Sequence, residues 1–408
     1  MRCLLLQKLV YVPTYGGANR SNRLLLEALV EKGHVCGAMV PESISWGAAA
    51  SNEGTKAELA KRGISPQTES SERLTFVYNG VWVYALKSGL GLTELVRPEQ
   101  VQQCIAEFQP DCLIVSTEDT GQLLLSSALA VGLPVVFLAR TTLALPFGPE
   151  GLIQSDERIA LIQHASAVVC VSDYVKEYCT RWAGVTTAIT LPISLQPSGP
   201  YPNYGKSHDG MVLMINPCAL KGVTIFEALA KKFCEQKFGV VPTWGTTKDD
   251  VDRLRALPNM TVLEPNDDVD QILRQAKVLL VPSLWSEAKA RVILEAMVRG
   301  IPVLASNVGG IPEAKLGVDY VLPVRPIQKY SNERDERFLP IAEVPGQDLA
   351  PWESALARVL NDRAHYEQLS VTSRKAALAE IATHRIEPFE ELLLRLTSRW
   401  ERVARSVA

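Results

Sequence analysis

Short apolar runs alternate with longer helical patterns along most of this 408-residue chain. Runs such as DCLIVS (111–116) and KVLLVPS (277–283) are almost continuously apolar, which is typical of strands that are buried on both faces of a sheet. The intervening segments have the spacing of amphipathic helices, and such a helix returns the chain to the edge where the next parallel strand begins. The alternation therefore predicts an α/β fold of doubly wound parallel sheets with helices on both faces.

The alternation is interrupted once by a hairpin and once by a linker. LTFVYNGVWVYAL (74–86) is rich in β-branched and aromatic residues around Asn79-Gly80, a pair that favours a two-residue hairpin turn. LPISLQPSGPYPNYGKSHDG (191–210) holds four prolines and three glycines, which is typical of a linker. Strand–helix alternation then restarts at MVLMIN (211–216) and continues to PVLAS (302–306).

Two such stretches joined by a linker predict two Rossmann-like domains. The expected bounds are 1–195 for the N-terminal domain, 196–209 for the linker and 210–385 for the C-terminal domain. Residues 386–408 are expected to form an amphipathic helix that packs back on the N-terminal domain, with a membrane or partner surface as the alternative. The charged segment 325–340 is expected to be a solvated loop. Ligands are expected at the carboxyl ends of the strands, in the cleft between the domains.

Composition excludes several classes of protein. The formal net charge of −3 gives no global electrostatic attraction for nucleic acid. The eight cysteines form no CxxC pair, which favours reduced core thiols in a cytoplasmic protein over a zinc site. The start, MRCLLLQKLVYVP, lacks the pattern of a signal peptide, and no run reaches the roughly 18 apolar residues of a membrane span. Peripheral membrane contact through a surface patch is left open.

Two glutamates lie at the start of one predicted strand–helix unit, SEAKARVILEAMVRGIPVLASNVGGIPE (286–313). Glu287 precedes the helix and Glu295 lies within it. On one continuous helix, eight positions would separate them by roughly 12 Å along the axis, too far for a close acid–base pair. A carboxylate can accept two hydrogen bonds at once, so the two suit diols at two ends of one elongated ligand. The alternative is that both are ordinary solvated side chains.

The segment that contains these glutamates resembles a known signature. PSLWSEAKARVILEAMVRGIPVLASNVGGIPEA (282–314) is similar to the nucleotide-binding signature of the retaining glycosyltransferases of family 4, which have the two-domain GT-B fold. The resemblance extends at lower density to YGGANRSNRLLLEALVEKGH (15–34), ASAVVCVSDYVKEYCTRWAG (165–184) and INPCALKGVTIFEALA (215–230). It implies that the N-terminal domain is on the acceptor side and that the C-terminal domain binds a nucleotide sugar.

The resemblance also implies roles for particular residues. Glu295 would bind the ribose hydroxyls, Glu287 the donor sugar, and Lys221 the diphosphate. Gly16 and Gly17 would let the first helix approach the donor phosphates, with a simple turn as the alternative. The candidates for nucleotide-sugar binding are Glu295, Lys221, Gly16, Gly17, Ala288, Lys289, Ala290, Arg291, Val292 and Asn216. The candidates for catalysis are Glu287, Lys221, Arg291 and Glu118.

The chain departs from the family pattern at three places. Asn216 stands where the family often has an arginine, so the diphosphate would depend on Arg291, Arg20 or Arg140 instead. EAKA replaces the usual EPFG, and STEDTG (116–121) replaces a segment that carries a histidine in many members. Glu118 or Asp119 lies near that place. The alternative for Glu118 is an acid that favours a helix N-terminus, and the alternative for Lys221 is a solvated lysine.

The resemblance implies a retaining transfer of a sugar from a nucleotide diphosphate donor to a hydroxyl acceptor of unknown class. A UDP-sugar is favoured as the donor, with GDP and ADP left open, and neither a cofactor nor a metal is expected. One alternative is a GT-B enzyme that uses no acceptor alcohol, such as a UDP-sugar 2-epimerase or a phosphorylase. Another is a catalytically silent scaffold protein that binds a nucleotide sugar, which the missing histidine keeps open.

Overall fold

The computed structural model describes residues 1–14, 16–43, 54–87, 97–205, 209–335 and 340–407. These residues form two compact units. Unit 1 comprises the described residues up to Gln196 together with those from His384 onwards. Unit 2 comprises the described residues from Pro197 to Thr383. Part of the predicted linker, residues 206–208, lies outside the described residues.

Unit 1 is built on a nine-stranded sheet. Its strands are β1 (Arg2–Leu6), β2 (Val35–Pro41), β3 (Thr68–Glu69), β4 (Arg73–Tyr78), β5 (Val81–Leu86), β6 (Cys112–Ser116), β7 (Val135–Ala139), β8 (Ala167–Cys170) and β9 (Ala188–Thr190). Its first helices are α1 (Gly17–Glu31), α2 (Gly54–Lys61), α3 (Pro98–Phe108), α4 (Leu123–Leu129), α5 (Asp156–His164) and α6 (Asp173–Ala183). The spatial order is β3-β4-β5-β2-β1-β6-β7-β8-β9, in which the pairs β3–β4 and β4–β5 are antiparallel and the other pairs are parallel.

The predicted hairpin is confirmed as β4 and β5. Asn79 and Gly80 form its turn with φ angles of 47° and 80°, the left-handed pair that a two-residue hairpin of this kind requires. A Cβ added to Gly80 would lie 2.6 Å from Cγ1 of Val30, so the turn also packs too closely on α1 for a side chain. The hairpin joins the sheet through β5, which pairs in parallel with β2.

Unit 2 contains a six-stranded sheet that is entirely parallel. Its strands are β10 (Met211–Ile215), β11 (Phe238–Val241), β12 (Met260–Val262), β13 (Ala276–Val281), β14 (Val303–Ser306) and β15 (Val321–Leu322). A separate pair is formed by β16 (Tyr330–Arg334) and β17 (Pro340–Ala342). The helices are α7 (Val223–Lys232), α8 (Lys248–Arg255), α9 (Val269–Leu273), α10 (Arg291–Met297), α11 (Ile311–Ala314), α12 (Ala350–Asn361) and α13 (Arg363–Thr383), with a 3-10 turn at Ala219–Lys221.

The strand order of each unit has one reversal point. In unit 2 the order is β12-β11-β10-β13-β14-β15, so the chain winds outward in both directions from the neighbours β10 and β13. In unit 1 the parallel strands wind outward in the same way from β1 and β6. A doubly wound sheet opens a crevice at the carboxyl ends of the two strands where the order reverses, because their connections leave toward opposite faces. These reversal points are called switch points below.

The core of each sheet explains why the strands take these positions. The side chains of β6 and β7 are all buried, as are those of β14 and the last four residues of β13. Each fully buried Val, Leu or Ile contributes roughly 1.5–3 kcal/mol relative to exposure. A strand that is apolar on both faces is therefore stable only between two layers of helices. The predicted α/β class with two Rossmann-like parallel-sheet domains is confirmed.

The expectation for residues 325–340 was wrong in part. The segment is not only a solvated loop, because Tyr330–Arg334 forms β16 and pairs with β17. The segment is too polar to show the apolar pattern of a buried strand. It forms a strand because it pairs with a second segment, β17.

Helix α14 (Glu387–Val407) belongs to unit 1, although it lies more than 180 residues after Gln196 along the chain. Its residues Phe389 and Leu393 are buried. Glu390 Oε1 lies 2.7 Å from His34 Nε2, and Trp400 donates its indole N–H to the carbonyl oxygen of Gly132 at 2.7 Å. Among the described residues, no helix combines the length and the apolar character needed to cross a membrane.

Candidate functional site

Two loops meet at the switch point of unit 2. The loop after β10 contains the 3-10 turn, and the loop after β13 begins the segment with the two glutamates. The amide of Leu284 donates to the carbonyl oxygen of Leu220 at 2.9 Å. Gly222 has a φ of 77°, and a Cβ there would lie 1.9 Å from the carbonyl oxygen of Pro282. The loops therefore pack backbone against backbone, an approach that only glycine allows.

This packing joins Lys221 and Glu287, which are 66 residues apart in sequence. The Lys221 ammonium forms a short ion pair with Oε1 of Glu287. The same oxygen accepts from the Ser283 hydroxyl at 2.7 Å and from the Trp285 indole N–H at 2.8 Å. Glu287 is only 6% exposed, so the alternative of a solvated loop glutamate is wrong. A buried carboxylate with three donors has its charge well compensated.

Two indole rings flank the Lys221 ammonium. Its Nζ lies 4.9 Å from the ring centroid of Trp285 and 6.0 Å from that of Trp244. The two rings are 6.0 Å apart and inclined at 54°. A cation within about 6 Å of an aromatic face is stabilised by the ring quadrupole. We refer to Glu287, Trp244 and Trp285 together as the Lys221 cage.

Asn216 holds the loop that carries Trp244. It has a left-handed φ of 63° and is 3% exposed. Its side-chain oxygen accepts from the amide of Gly245 at 2.8 Å and lies 3.3 Å from the Thr246 hydroxyl. A Cβ on Gly245 would lie 2.8 Å from this oxygen, so the loop approaches Asn216 closely. The residue that stands in place of the family arginine thus positions a neighbouring loop; its contact with a nucleotide stays a prediction.

Glu295 and Arg291 pair on α10. Arg291 donates from Nε to Oε1 of Glu295 at 2.7 Å, with both side chains less than a tenth exposed. Arg299 donates to the backbone carbonyl of Glu295 at 2.8 Å, and its guanidinium also holds Asp270. The alternative of a solvated helix glutamate is therefore wrong for Glu295 as well. Whether Glu295 binds ribose or Arg291 binds diphosphate stays a prediction.

The segment between the two glutamates is packed on the Gly309-Gly310 turn. The amide of Gly310 donates to the carbonyl oxygen of Glu287 at 2.6 Å, and Cβ atoms on the two glycines would lie 2.4 Å and 2.2 Å from the carbonyl oxygens of Glu287 and Ala288. Ala290 has a left-handed φ of 46° immediately before α10. The remaining members of the predicted set, Lys289 and Val292, lie beside it: Lys289 is 3.8 Å from Glu380, and Val292 packs partly buried against the core.

Three predicted residues belong to unit 1 rather than to this cluster. Gly16 precedes α1 with a φ of 88°, and Gly17 is the first residue of the helix. Gly16, as the N-cap residue, has no side chain to cap the helix, and the first turn has no acidic residue. The free backbone N–H groups and the dipole of such a helix N-terminus favour binding of an anion. The phosphate role of the two glycines stays a prediction.

Glu118 is the third of them and follows β6 at the switch point of unit 1. Both of its carboxylate oxygens are buried, and neither meets the geometry of a hydrogen bond with a partner among the described residues. This burial raises the pKa of Glu118, although Ser116, its own backbone amide and Arg140 act to lower it. Asp119 is the acid that caps α4, because it accepts from the amide of Leu124 at 2.7 Å. Glu118 itself bonds to no amide of α4 in the described residues, and its alternative role near the helix start stays a prediction.

Sequence reasoning did not single out Gln122, Trp244, Trp285 or Ser283. Gln122 is 2% exposed, and its side-chain oxygen and nitrogen find no hydrogen-bond partner within the described ranges. Its left-handed φ of 53° is unusual for a residue with a side chain. Trp285 and Ser283 were inside the quoted signature, so their nearness to Glu287 was a usable signal. No sequence signal indicated Trp244, because the residues that it contacts come from two other loops.

The cluster at the switch point of unit 2 lies within a segment that is similar to a known family. Residues 218–330 match the family model for Glycosyl transferases group 1. The resemblance to glycosyltransferases is thereby confirmed for the segment that holds Lys221, Glu287 and Glu295. No curated protein sequence matches the chain.

Solved structures are similar over nearly the full length. Sucrose-phosphate synthase from Thermosynechococcus elongatus has a TM-score of 0.68 at 16% identity, with 99% of each chain covered. A glycosyltransferase from Rickettsia africae has a TM-score of 0.63 at 11% identity, covering 97% of this chain and 98% of that one. HepE from Anabaena in complex with UDP-glucose has a TM-score of 0.60 at 16% identity, with both chains fully covered. At these identities the similarity establishes the fold, which is that of GT-B glycosyltransferases.

Metal ligands were not expected from the sequence. In the part of the chain that the structure describes, no three His, Cys, Asp or Glu side chains are grouped so that they could hold a metal ion. None of the eight cysteines forms a disulfide, and only Cys234 is exposed.

Proposed function

We propose that this protein is a retaining glycosyltransferase that moves a sugar from a nucleotide diphosphate donor, preferably a UDP-sugar, to a hydroxyl acceptor. One observation carries the proposal. A lysine and two buried carboxylates lie at the switch point of a Rossmann-ordered sheet, inside the segment that matches the group 1 glycosyltransferases. That is the place where such a sheet binds its ligand.

The proposed division of roles follows the chemistry of each side chain. Glu295 accepts from the ribose hydroxyls, because a carboxylate can bind a vicinal diol with both oxygens. Lys221 binds the diphosphate as a point charge. Glu287 contacts the donor sugar, and the backbone of residues 288–292 adds N–H groups to sugar and phosphate. In unit 1, Gly16 and Gly17 serve the phosphates and Glu118 serves the reacting sugar or the acceptor.

In the proposed reaction the bond between sugar C1 and the diphosphate oxygen breaks, and a bond between C1 and the acceptor oxygen forms on the same face. The acceptor proton passes to the leaving phosphate. No enzymic nucleophile is assigned, and the occupied state of Glu287 Oε1, which accepts three donors, supports that choice. Lys221 offsets charge on the leaving diphosphate, so the reaction is proposed to need no metal.

The choice of UDP is supported by analogy of fold. HepE, whose structures include complexes with UDP and with UDP-glucose, shares the fold over the full length of this chain. A cytoplasmic location is also part of the proposal, in keeping with cysteines that form no disulfide. The acceptor is proposed only as a hydroxyl compound.

Thermal melting tests the donor site. A ligand at 100 times its dissociation constant stabilises the folded state by about 2.7 kcal/mol. For a protein of this size, 1 kcal/mol moves the melting temperature by roughly 2–4 °C. We expect the largest shift with UDP, smaller ones with GDP and ADP, and the same shift with a chelator. If none of the three nucleotides moves the melting curve, the assignment of the donor site is wrong. The alternative of a catalytically silent scaffold protein is then favoured.

Product analysis tests the reaction. The protein incubated with UDP-glucose and candidate alcohols should release UDP in an acceptor-dependent way, and the anomeric configuration of the product should equal that of the donor. UDP release without any acceptor dependence would indicate the epimerase-like or hydrolytic alternative. An inverted product would reject the retaining mechanism but leave the transferase.

A further inference from the structure

The Lys221 cage presents a conflict between two assigned roles. Lys221 is proposed to bind the donor diphosphate, yet its ammonium is already paired with the carboxylate of Glu287. The lysine side chain is 19% exposed and the glutamate side chain 8% exposed, so the pair is only weakly screened by water. A diphosphate that reaches Lys221 must therefore compete with Glu287 for the same cation.

We infer that Glu287 is a specificity-determining residue that makes the site prefer a sugar-bearing diphosphate over the free nucleoside diphosphate. The inference rests on the proposed function. A diphosphate takes Lys221 from Glu287 and leaves the carboxylate without its cation. A donor sugar compensates this loss because its hydroxyls donate to the released carboxylate. Free UDP has no sugar and offers no such compensation.

The contacts around Glu287 remain when Lys221 exchanges its partner. When Lys221 moves to a phosphate, Glu287 Oε1 keeps the Ser283 hydroxyl and the Trp285 indole N–H as donors. The backbone of Glu287 is also held, since its carbonyl oxygen accepts from Gly310. The carboxylate therefore stays in place as its partner changes, and it is ready to accept from a sugar hydroxyl.

The lysine side of the pair is likewise held in both states. The faces of Trp285 and Trp244 lie within 4.9 Å and 6.0 Å of the ammonium, and their attraction does not depend on which anion pairs with it. Asn216 holds the loop of Trp244 by accepting from the amide of Gly245. The change on binding is consequently small: the ammonium is displaced from a carboxylate oxygen to a phosphate oxygen beside the same two rings.

The exchange has a consequence for turnover. After transfer the site holds a nucleoside diphosphate without a sugar, and Glu287 then competes to recover Lys221. This competition weakens the product relative to the donor. The same carboxylate would thus help the sugar to bind and the product to leave.

The test compares Glu287→Gln with the wild type by isothermal titration of UDP, UDP-glucose and UDP-N-acetylglucosamine into the full chain. Glutamine keeps the shape and removes the charge that competes for Lys221. We expect UDP to bind about 3- to 10-fold more tightly, the size of one partly buried ion pair. The tighter-binding sugar nucleotide should gain less than twofold or lose affinity. Glu227→Gln is the matched control, because that acid pairs with Lys231 and Arg253 elsewhere on unit 2 and should leave all three affinities unchanged.

Each other outcome decides between explanations. Equal tightening of UDP and the sugar nucleotides would show simple repulsion by Glu287 and overturn the inference. Unchanged or weaker UDP binding would also overturn it and leave the proposed function intact. If the wild type binds UDP but neither sugar nucleotide, Glu287 recognises no donor sugar among those tested, and the inference is also overturned. A wild type that binds no nucleoside diphosphate rejects the proposed function itself.

Ser283→Ala keeps the inference testable if Glu287→Gln fails to fold. This change removes one donor that remains when Lys221 leaves, so Glu287 depends more on the lysine. We expect UDP to bind about two- to threefold more weakly, the opposite direction to Glu287→Gln. Unchanged or tighter UDP binding in Ser283→Ala would contradict the exchange.

Discussion

The switch points of the two units have equivalent strand orders but differ in how some of their buried polar side chains are paired. In unit 2, Glu287 is paired with Lys221 and Glu295 with Arg291. In unit 1, the carboxylate of Glu118 and the amide of Gln122 are buried and have no hydrogen-bond partner in the part of the chain that the structure describes. A paired site holds its groups in place and can exchange one partner for a ligand. An unpaired buried group destabilises the fold and is kept where another requirement outweighs stability.

Lys221→Ala should have the largest effect on the paired side of this comparison. The change removes the proposed diphosphate cation and leaves the charge of Glu287 uncompensated. We expect UDP to weaken by roughly 1.5–3 kcal/mol, about 10- to 150-fold, and uridine by less than twofold. Titration of both ligands measures the difference, with Lys231→Ala as a control lysine on α7. Equal losses for UDP and uridine would remove Lys221 from the phosphate site.

Glu295→Ala should sharpen the comparison within unit 2. If Glu295 binds ribose, Glu295→Ala should cost about 1.5–3 kcal/mol of binding free energy. The loss should be the same for UDP and uridine, because both contain the ribose. This pattern differs from that of Lys221→Ala, in which only the diphosphate matters. The exposed acid Asp252 supplies the control variant Asp252→Ala. UDP affinity within a factor of two of the wild type would count against the ribose role.

Lys315 is a buried charge in unit 2 that breaks the pattern of ion pairs. It is fully buried and donates to the backbone carbonyl oxygens of Val303 and Asp319. Burial lowers the pKa of Lys315 to about 7, against the opposing charge of Asp319. Between pH 7 and roughly 10.4 the unfolded chain binds a proton that the folded chain does not. Stability from this group is therefore present at high pH and is lost as the pH falls through that window.

Lys315→Met removes this dependence. We expect the melting temperature of the wild type to rise relative to that of the variant between pH 7 and pH 9.5, by a few degrees at most. Lys237→Met, at an exposed lysine, should follow the wild type across the same range. Parallel curves for the wild type and Lys315→Met would mean that Lys315 is charged in the folded state throughout.

Glu118→Gln tests the unpaired side and should have the smallest effect on stability. Because burial raises the pKa of Glu118, the wild type loses stability as the pH rises from about 4.3, the unfolded value, toward the folded one. Glutamine removes the charge, so the variant should melt about a degree or two higher at pH 7, with the gap closing near pH 4. Turnover should fall if Glu118 serves the reaction. Higher stability with unchanged turnover would reject that role; Glu99→Gln, at an exposed acid of α3, is the control.

The strand–helix order was predictable because it depends on local patterns. A run such as KVLLVPS can be stable only between two layers of helices, and Asn79-Gly80 can hardly form anything but a turn between two strands. The two signature glutamates were visible for the same reason, since they lie next to one strand and one helix.

The partners of those glutamates were not predictable, because they come from distant loops. Lys221 reaches Glu287 only because Gly222 lets one loop touch the carbonyl of Pro282. Trp244 reaches Lys221 only because Asn216, with its left-handed backbone, holds Gly245. Composition and periodicity contain no information on such contacts. The isolation of Glu118 was equally hidden, because the neighbouring Asp119 takes the role at α4 that either acid could have had.

The membership of α14 in unit 1 sets an order for assembly during synthesis. A ribosome makes the chain from the first residue, and every segment of unit 2 emerges before the residues that bind His34 and Gly132. Unit 2 can therefore complete its fold while unit 1 still lacks Phe389 and Leu393 from its interior. The usual sequence, in which the N-terminal part folds first, is reversed at its last step. A nascent chain released before that step would leave the surface under α14 open to chaperones.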